Sequence, residues 1–140
     1  MRKLVFYFFL PLFIVLFPIS SVLSHDSHGK MIEATHPYPA INVIVNNQNL
    51  STYLLEFKIS NFKLISLNDS SEINKNEGHI LLLINNKKKI MVTEETYKLS
   101  ADLLRVGKNE LFVMLMDSNH SLFTRSNDII YTPKLIYKDK

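Results

Sequence analysis

The chain has 140 residues, a formal net charge of +3 at pH 7, three glycines and no cysteine. Without cysteine it can form no disulfide and carry out no thiol chemistry. So few glycines argue against a glycine-rich phosphate-binding loop. Arg2 and Lys3 carry two of the positive charges, which leaves a net charge of +1 on the rest of the chain, so nucleic-acid binding is not expected.

The first 24 residues have the pattern of a secretory signal peptide. Arg2 and Lys3 precede an apolar run over residues 4–19, and small residues follow up to Ser24. This pattern predicts cleavage after Ser24, which leaves His25 as the first residue of an exported protein, periplasmic or extracellular. A retained membrane anchor is the alternative, but the run has 16 residues, fewer than the ~20 of a spanning helix. An exported domain without disulfides fits a bacterial envelope.

After the signal, the sequence predicts a flexible arm and one domain. Residues 25–40 are polar and contain two prolines, which is typical of a mobile segment. The domain is expected to cover residues 41–140. Alternating apolar and polar residues predict strands over 41–45 and 53–59, with an extension over 61–67 after a bend.

A hairpin is predicted in the middle of the chain. Residues 79–84 form a dense apolar run, followed by Asn85 and Asn86. Because asparagine tolerates positive φ better than most residues, this pair suits a tight turn. The second arm is expected over residues 87–92 and continues over 94–99.

The C-terminal part is predicted to begin with one helical turn and to end with an edge strand. Residues 101–105 form the turn, with Ser100 as its cap and Gly107 closing it. The last strand covers residues 129–137. Because Pro133 has no N–H to donate to a ladder, this strand is expected at the edge of a sheet.

Two of the predicted strands, over residues 79–84 and 111–116, are apolar on both faces. Such strands lie centrally, or their outer face is covered by the arm or by a partner. We therefore predict a protein partner or a homodimer that covers the apolar outer faces of Leu82 and Phe112.

Together the predicted elements are short β segments separated by polar turns, with almost no helix. They predict an all-β fold, an immunoglobulin-like antiparallel β-sandwich of about seven strands. A small antiparallel barrel is the second choice.

The histidines are the residues that suggest a specific site. After the predicted cleavage, His25 has both a free amine and an imidazole, a pair of nitrogen donors that suits Cu(II). The candidate metal ligands are His25, His28, His36, His79 and His120. The alternative for the arm is a hydrophilic segment whose histidines only keep it soluble.

The two histidines of the domain also have structural explanations. In a strand, His79 shares its face with Leu81 and Leu83, so a structural histidine at the strand entrance is favoured. His120 and Asp117 could bind a metal together, or they could serve the ordinary turn chemistry of a polar loop.

Patterns of an enzyme or of a nucleic-acid-binding protein are missing from the sequence. Ser121 follows His120 without a G-x-S-x-G elbow, and Glu94 and Glu95 point to opposite faces of an extended chain. The lysines at 87–89 have no aromatic residues interleaved for base stacking. We therefore expect no catalysis and no nucleic-acid partner, and a membrane contact only through an uncleaved signal.

Short motifs resemble a family of small exported bacterial proteins of unknown function. Members have a His-rich arm after the signal and a β domain with a Gly-His-x-His-Leu-Tyr-x-Asn-Gly-Lys-Lys segment. The matching residues are Gly78, His79, Leu82, Asn85, Lys87, Lys88, Leu104, Gly107, Asn109, Asn119, His120 and Ser121. The resemblance implies an immunoglobulin-like sandwich without known catalysis. Leu81 and Leu83 replace the second histidine and the tyrosine of the segment.

The sequence as a whole predicts an exported, non-enzymatic binding or accessory module of the bacterial cell envelope. The alternative is a periplasmic protein that binds copper or another transition metal through the mature N-terminal histidine. His25 also gives the chain a fainter similarity to periplasmic copper-carrier domains, which are small β-sandwiches.

Overall fold

The computed structural model describes residues 29–72 and 74–140. The predicted signal peptide, His25 and His28 lie outside the described residues. Within the described part of the chain, no helix has the length and apolar character needed to cross a membrane.

The described residues are almost entirely β-structure, which confirms the all-β prediction. Seven strands have five or more residues, and four others have two to four. The elements are β1 (Met31–Glu33), β2 (Ala40–Asn49), β3 (Thr52–Ser60), β4 (Lys63–Leu64), β5 (Glu77–Ile84), β6 (Lys88–Val92), β7 (Thr96–Ser100), a 3₁₀ turn (Ala101–Leu103), β8 (Gly107–Met116), β9 (Leu122–Arg125), β10 (Asp128–Ile129) and β11 (Tyr131–Lys138).

The strands form two sheets that enclose one core. The smaller sheet is antiparallel, with the order β2-β3-β7. In the larger sheet β5 pairs with β6 and β8, and β8 pairs in turn with β11 and β9. The larger sheet is not purely antiparallel, because β1 runs parallel to β9 and β4 parallel to β5. It also curls, so that β11 lies beside β2 and the Thr132 hydroxyl donates a hydrogen bond to the Ile41 carbonyl.

The predicted hairpin and helical turn are both present, but the predicted continuation of the second arm over residues 94–99 is wrong, because Thr96–Ser100 forms β7 and pairs with β3 in the smaller sheet. Asn85 and Asn86 have φ angles of 50° and 56°, as the tight turn between β5 and β6 requires. The Ser100 hydroxyl accepts a hydrogen bond from the Asp102 N–H at 3.3 Å. The turn is a 3₁₀ turn that ends at Leu103, two residues earlier than predicted.

A buried asparagine holds the beginning of β8 beside this hairpin. Asn109 is fully buried, and its Oδ1 accepts hydrogen bonds from the Arg105 N–H and from Asn85 Nδ2. Its Nδ2 donates to the carbonyls of Arg105 and Gly107. Four bonds therefore satisfy a polar side chain that would be costly to bury alone.

Part of the segment predicted as a flexible arm belongs to the larger sheet. Residues 31–33 form β1, and the Leu122 N–H donates to the Lys30 carbonyl at 2.7 Å. The Glu33 carboxylate accepts hydrogen bonds from the Ser126 N–H and the Thr124 hydroxyl, and these bonds lower the pKa of Glu33. Sequence alternation could not reveal β1, because three residues are too short to show a period.

The core lies between the inner faces of the two sheets. Its largest fully buried side chains include Phe57, Leu55, Ile80, Leu82, Leu111, Leu115 and Phe123. Phe123 meets Phe62 edge to face, with ring centroids 5.3 Å apart. As predicted for an edge strand, β11 pairs only with β8 among the described strands, and Pro133 lies opposite Phe112.

Candidate functional site: the outer face of the larger sheet

Strand register divides the apolar residues of β5 and β8 between two faces. Ile80, Leu82 and Ile84 of β5 belong to the main core, as do Leu111, Val113 and Leu115 of β8. The residues between them point away from the smaller sheet and form a second cluster. Both strands are central in the sheet, as predicted for strands that are apolar on both faces.

The prediction that Leu82, like Phe112, lies on an apolar outer face is wrong. Leu82 is fully buried in the core, and its neighbour in β8 is Val113. The residue beside Phe112 is Leu83. Both faces of β5 are apolar between residues 80 and 84, so no polar residue there distinguishes the inner face from the outer face.

The outer apolar face extends over β6, β5, β8 and β11. In one row Lys89, Leu83, Phe112 and Pro133 lie side by side, and in the next Met91, Leu81, Met114 and Tyr131 do. Because alternate residues share a face, Leu135 and Tyr137 extend it along β11. We define the outer apolar face as Leu81, Leu83, Met91, Phe112, Met114, Met116, Leu122, Tyr131, Pro133, Leu135 and Tyr137.

The outer face of the smaller sheet is different in character. Its pairings bring Asn42 beside Lys58, and Ile44 beside Glu56. Asn46 Nδ2 donates to Glu56 Oε1 at 2.7 Å. This face has the polar character expected of a solvated sheet surface. The apolar character is therefore specific to the outer face of the larger sheet.

The side chains of the outer apolar face are least exposed in the central strands and most exposed on β11. Leu81 is 6% exposed, whereas Tyr131 is 52%, Leu135 49% and Tyr137 64% exposed. An open groove of about 360 Å³ runs between β8 and β11, and Phe112, Pro133 and Leu135 contribute to its lining. Exposed aromatic and aliphatic side chains beside a groove are typical of a protein-binding surface.

Few charges interrupt this surface. By strand register, Lys89, Lys108 and Glu110 share the outer apolar face. Lys108 Nζ and Glu110 Oε1 form an ion pair at 3.1 Å, so Lys89 is the charge on this face that has no ion-pair partner among the described residues. The charged groups lie along the β6 side and toward the beginning of β8, and the centre of the face is apolar.

His79 is buried at the beginning of β5, where its side chain holds two segments of the chain together. It is 2% exposed, and its Nδ1 is 3.1 Å from the Ile65 carbonyl oxygen. The register places it next to Met116. This hydrogen bond links the segment after β4 to the beginning of β5, and burial restricts the access of any ligand to the imidazole.

His120 lies in the turn between β8 and β9. It is exposed and has a φ of 63°, and its N–H donates to the Asp117 carbonyl. Asp117 Oδ1 accepts hydrogen bonds from the N–H groups of Asn119 and Ser121, at 3.0 and 2.7 Å. Asp117 is therefore engaged in closing the turn, while the imidazole of His120 faces solvent.

His36 is exposed in the loop after β1 and contacts Tyr38 edge to face, with ring centroids 5.8 Å apart. Among the residues in 29–72 and 74–140, no three His, Asp or Glu side chains lie close enough together to hold a metal ion. The structure therefore does not bring His36, His79 and His120 together into one metal site.

One exposed ion pair shifts the pKa values of its own two side chains. Glu72 and Lys75 lie three residues apart in the loop before β5 and form a salt bridge. Their hydrogen bond lowers the pKa of Glu72 and raises that of Lys75. Both side chains are exposed, so the pair is local and does not mark a reactive centre.

Comparisons of the chain with protein-family models, curated proteins and solved structures found no match. The surfaces of the domain and the pattern of its sequence are therefore the basis for a functional inference.

Proposed function

We propose that the chain is an exported, non-enzymatic binding module of the bacterial cell envelope. Its binding surface is the outer apolar face, and its ligand is a protein. In this proposal the domain is an immunoglobulin-like sandwich in which the smaller sheet closes the core and the larger sheet presents the binding surface.

The contrast between the two outer faces is the observation that supports this proposal. Soluble proteins rarely expose contiguous apolar patches of more than a few hundred Å², and such patches mark interaction sites. Here the exposed side chains Tyr131, Leu135 and Tyr137 stand beside Phe112 on one face. The other outer face carries Asn42, Glu56 and Lys58.

Export is supported by the sequence pattern alone. A charged start, an apolar run over residues 4–19 and a small-residue exit up to Ser24 are the three parts of a secretory signal. The resemblance to exported bacterial proteins points in the same direction. Fractionation of a bacterium that expresses the full chain, with N-terminal sequencing of the product, tests the cleavage after Ser24.

A photo-crosslinking experiment tests the binding surface in the envelope. The full chain is expressed with p-benzoylphenylalanine in place of Phe112, and separately in place of Ile44. Ile44 is the matched control, because it is an exposed apolar residue (41%) on the outer face of the smaller sheet. Irradiation of intact cells is expected to give a discrete protein adduct from position 112 and none from position 44.

The result can contradict the proposal in two ways. Equal adducts from both positions mean that the contact is not specific to the outer apolar face. No adduct from position 112, in cells where the variant is exported and folded, means that no protein covers this face.

Copper or other transition-metal binding at the mature N-terminus is a second candidate, and one observation favours it. Met31 pairs in register with Leu122 in parallel strands, and the Lys30 carbonyl is bonded to the Leu122 N–H. Lys30 therefore lies beside the end of the turn that carries His120. In the sequence, His28 is two residues before Lys30.

Titration of the exported protein with Cu(II) separates this candidate from the first. If His25 and His120 bind the ion together, His25→Ala and His120→Ala each weaken the visible absorbance of the complex. His36→Ala, which removes an exposed histidine beside Tyr38, is the matched control and leaves it unchanged. Binding no tighter than that of a peptide with the sequence of residues 25–30 contradicts the candidate.

A further inference from the structure

We propose that one end of the domain docks on a bilayer surface that contains anionic phospholipids. This end, the basic end, consists of the β2–β3 turn, the β5–β6 turn, the segment from the 3₁₀ turn to the beginning of β8, and the end of β11 (residues 49–52, 85–89, 100–110 and 138–140). It shares no residue with the outer apolar face, so the inference goes beyond the proposed function. An uneven distribution of charge and two exposed apolar side chains carry it.

Hydrogen bonds bring these four segments together at one end of the strands. The Ala101 N–H donates to the Ser51 carbonyl at 2.8 Å, which joins the 3₁₀ turn to the β2–β3 turn. Lys138 Nζ donates to the Ala101 carbonyl at 2.8 Å, which adds the end of β11. Asn109 holds the β5–β6 turn through its hydrogen bond with Asn85. The four segments therefore form one surface.

The fold concentrates positive charge on this surface. The basic end has seven Lys or Arg residues and three acidic residues, a net side-chain charge of +4, whereas the other described residues have seven basic and nine acidic side chains, a net charge of −2. Its basic residues are Lys87, Lys88, Lys89, Arg105, Lys108, Lys138 and Lys140. The small net charge of the sequence conceals this separation. Basic clusters of this kind are attracted to the head groups of anionic lipids.

The lysines at 87–89 are the cations that a lipid phosphate can reach. All three are exposed, and they have no ion-pair partner among residues 29–72 and 74–140. Lys108, in contrast, pairs with Glu110, and Lys138 is bonded to main-chain carbonyls. The β5–β6 turn therefore supplies most of the electrostatic attraction.

Two exposed apolar side chains lie among these charges. Leu50 is at the tip of the β2–β3 turn and is 90% exposed, and Val106, just before β8, is 55% exposed. The turn closes without the leucine side chain, because Asn49 Oδ1 accepts hydrogen bonds from the N–H and the hydroxyl of Ser51 at 2.9 and 2.8 Å. Leu50 is therefore available to enter the boundary between head groups and acyl chains.

This combination favours a bilayer over a soluble anion. A soluble anion would bind the lysines but would leave Leu50 and Val106 in water. A bilayer surface offers phosphates to the lysines and an apolar layer just beneath them, so both kinds of side chain gain from the same contact.

An exposed leucine at the opposite end provides a matched control. Leu67 is 58% exposed in the loop after β4. The Ile65 N–H in that loop donates to the Gly78 carbonyl at the beginning of β5, whereas the β5–β6 turn follows the end of β5. Asp69 and Glu72 are the charged residues that follow Leu67 in this loop, so an anionic bilayer is not expected to attract it.

The first experiment uses the absence of tryptophan from the chain. Leu50→Trp and Leu67→Trp each introduce one fluorescent reporter into protein that is exported by cells expressing the full chain. The proteins are mixed with vesicles of phosphatidylcholine alone, or of phosphatidylcholine and phosphatidylglycerol in equal parts. With the mixed vesicles, the emission of Leu50→Trp is expected to shift to the blue, whereas that of Leu67→Trp is expected to stay unchanged.

The second experiment measures the contribution of charge by sedimentation with the mixed vesicles. The double variant Lys87→Gln, Lys88→Gln is expected to bind about 25-fold more weakly, since each cation near an anionic surface contributes about fivefold. The double variant Lys30→Gln, Lys58→Gln removes the same charge from exposed positions outside the basic end and is expected to bind as the parent does. Far-UV circular dichroism shows that each variant is folded.

Four results would overturn the inference. Equal binding to phosphatidylcholine alone would mean that an apolar surface or a retained signal makes the contact. Vesicle binding without a blue shift of Leu50→Trp, or with an equal shift of Leu67→Trp, would mean that the basic end does not enter the bilayer. Equal losses in the two double variants would mean that only total charge matters. Displacement by inorganic phosphate, but not by sodium chloride of the same ionic strength, would mean that the site takes a free anion.

Discussion

Glycine is needed in this fold for two physical reasons: a close backbone neighbour leaves no room for a Cβ, or the residue has a positive φ. Replacing each of the three glycines by alanine is expected to separate these two reasons. A Cβ on Gly78 would lie 2.0 Å from the Met116 carbonyl oxygen and 2.9 Å from the Asp117 Cα. Both are backbone atoms of β8 and its exit, so no side-chain rotation relieves the clash. Gly78 also has a φ of 155°, which a residue with a side chain rarely adopts.

The expected cost follows from this geometry. Non-bonded heavy atoms prefer separations near ~3.5 Å, so β5 and β8 must move apart by more than ~1 Å where His79 pairs with Met116. Overpacking costs ~1–3 kcal/mol and an unfavourable positive φ costs ~1–2 kcal/mol. Gly78→Ala is therefore expected to lower the free energy of unfolding by about 2–5 kcal/mol. That corresponds to a fall in Tm of roughly 8–20 °C.

The other two glycines provide graded controls. Gly107 has a φ of 88°, and a Cβ there would meet nothing within 4 Å. Gly107→Ala should therefore cost only the conformational strain of about 1–2 kcal/mol. A Cβ on Gly29 would meet nothing within 4 Å either, so Gly29→Ala should leave Tm unchanged. Urea unfolding followed by circular dichroism measures all three variants.

The order of the three losses in unfolding free energy tests this explanation. If Gly78→Ala is no more destabilising than Gly107→Ala, then the close approach of β8 is not the reason for glycine at position 78. A large effect of Gly29→Ala would mean that the beginning of the described chain contributes to the core.

Three further changes test other parts of the fold. Asn109→Ala should lower the free energy of unfolding by about 2–3 kcal/mol, because buried groups lose their hydrogen-bond partners. Urea unfolding measures this loss, with the change of the exposed Asn47 to Ala as the control. Equal losses in the two variants would contradict the prediction. Because the pKa of Glu33 is lowered, its contribution to stability is present above the usual value of about 4.3 and is lost as the pH falls through the folded value. The protection factors of the β1 amides against hydrogen exchange should therefore fall at acid pH, and Glu33→Gln should remove that dependence. A pH profile of protection that is the same in both proteins would refute the prediction. Asn86→Gly, which relieves positive φ in the hairpin, should raise Tm slightly, corresponding to about 0.5 kcal/mol, whereas a lower Tm would contradict the turn.

The sequence predicts local structure well where one pattern dominates. Alternation identified the strand that contains Tyr53 and Ile59, and the asparagine pair identified the hairpin. Pro133 correctly placed β11 at the edge of the larger sheet. In each case the signal lies within a few neighbouring residues, where steric and hydrogen-bonding rules act directly.

Long-range pairings could not be predicted in the same way. The three-residue strand β1 owes its place to hydrogen bonds with β9 and to Glu33, about 90 residues away along the chain from Thr124. Asn109 looks like any polar residue at a strand start, and only the folded chain shows that it is buried. The predicted extension over 61–67 contains β4, but β4 has two residues and runs parallel to β5, a pairing that no local pattern predicts.

The candidate surface was predicted only in kind, because its members depend on register. A strand that is apolar on both faces predicts that its outer face is covered. The sequence alone does not show whether Leu82 or Leu83 lies on that outer face, because this depends on the pairing with a neighbouring strand. The pairing of Leu83 with both Phe112 and Lys89 settles which leucine lies outside. The same register places the exposed residues Tyr131 and Leu135 of β11 on that surface. A single-residue slip of β11 would instead bring Lys134 onto it, so the apolar character of this face is a direct test of the β8–β11 register.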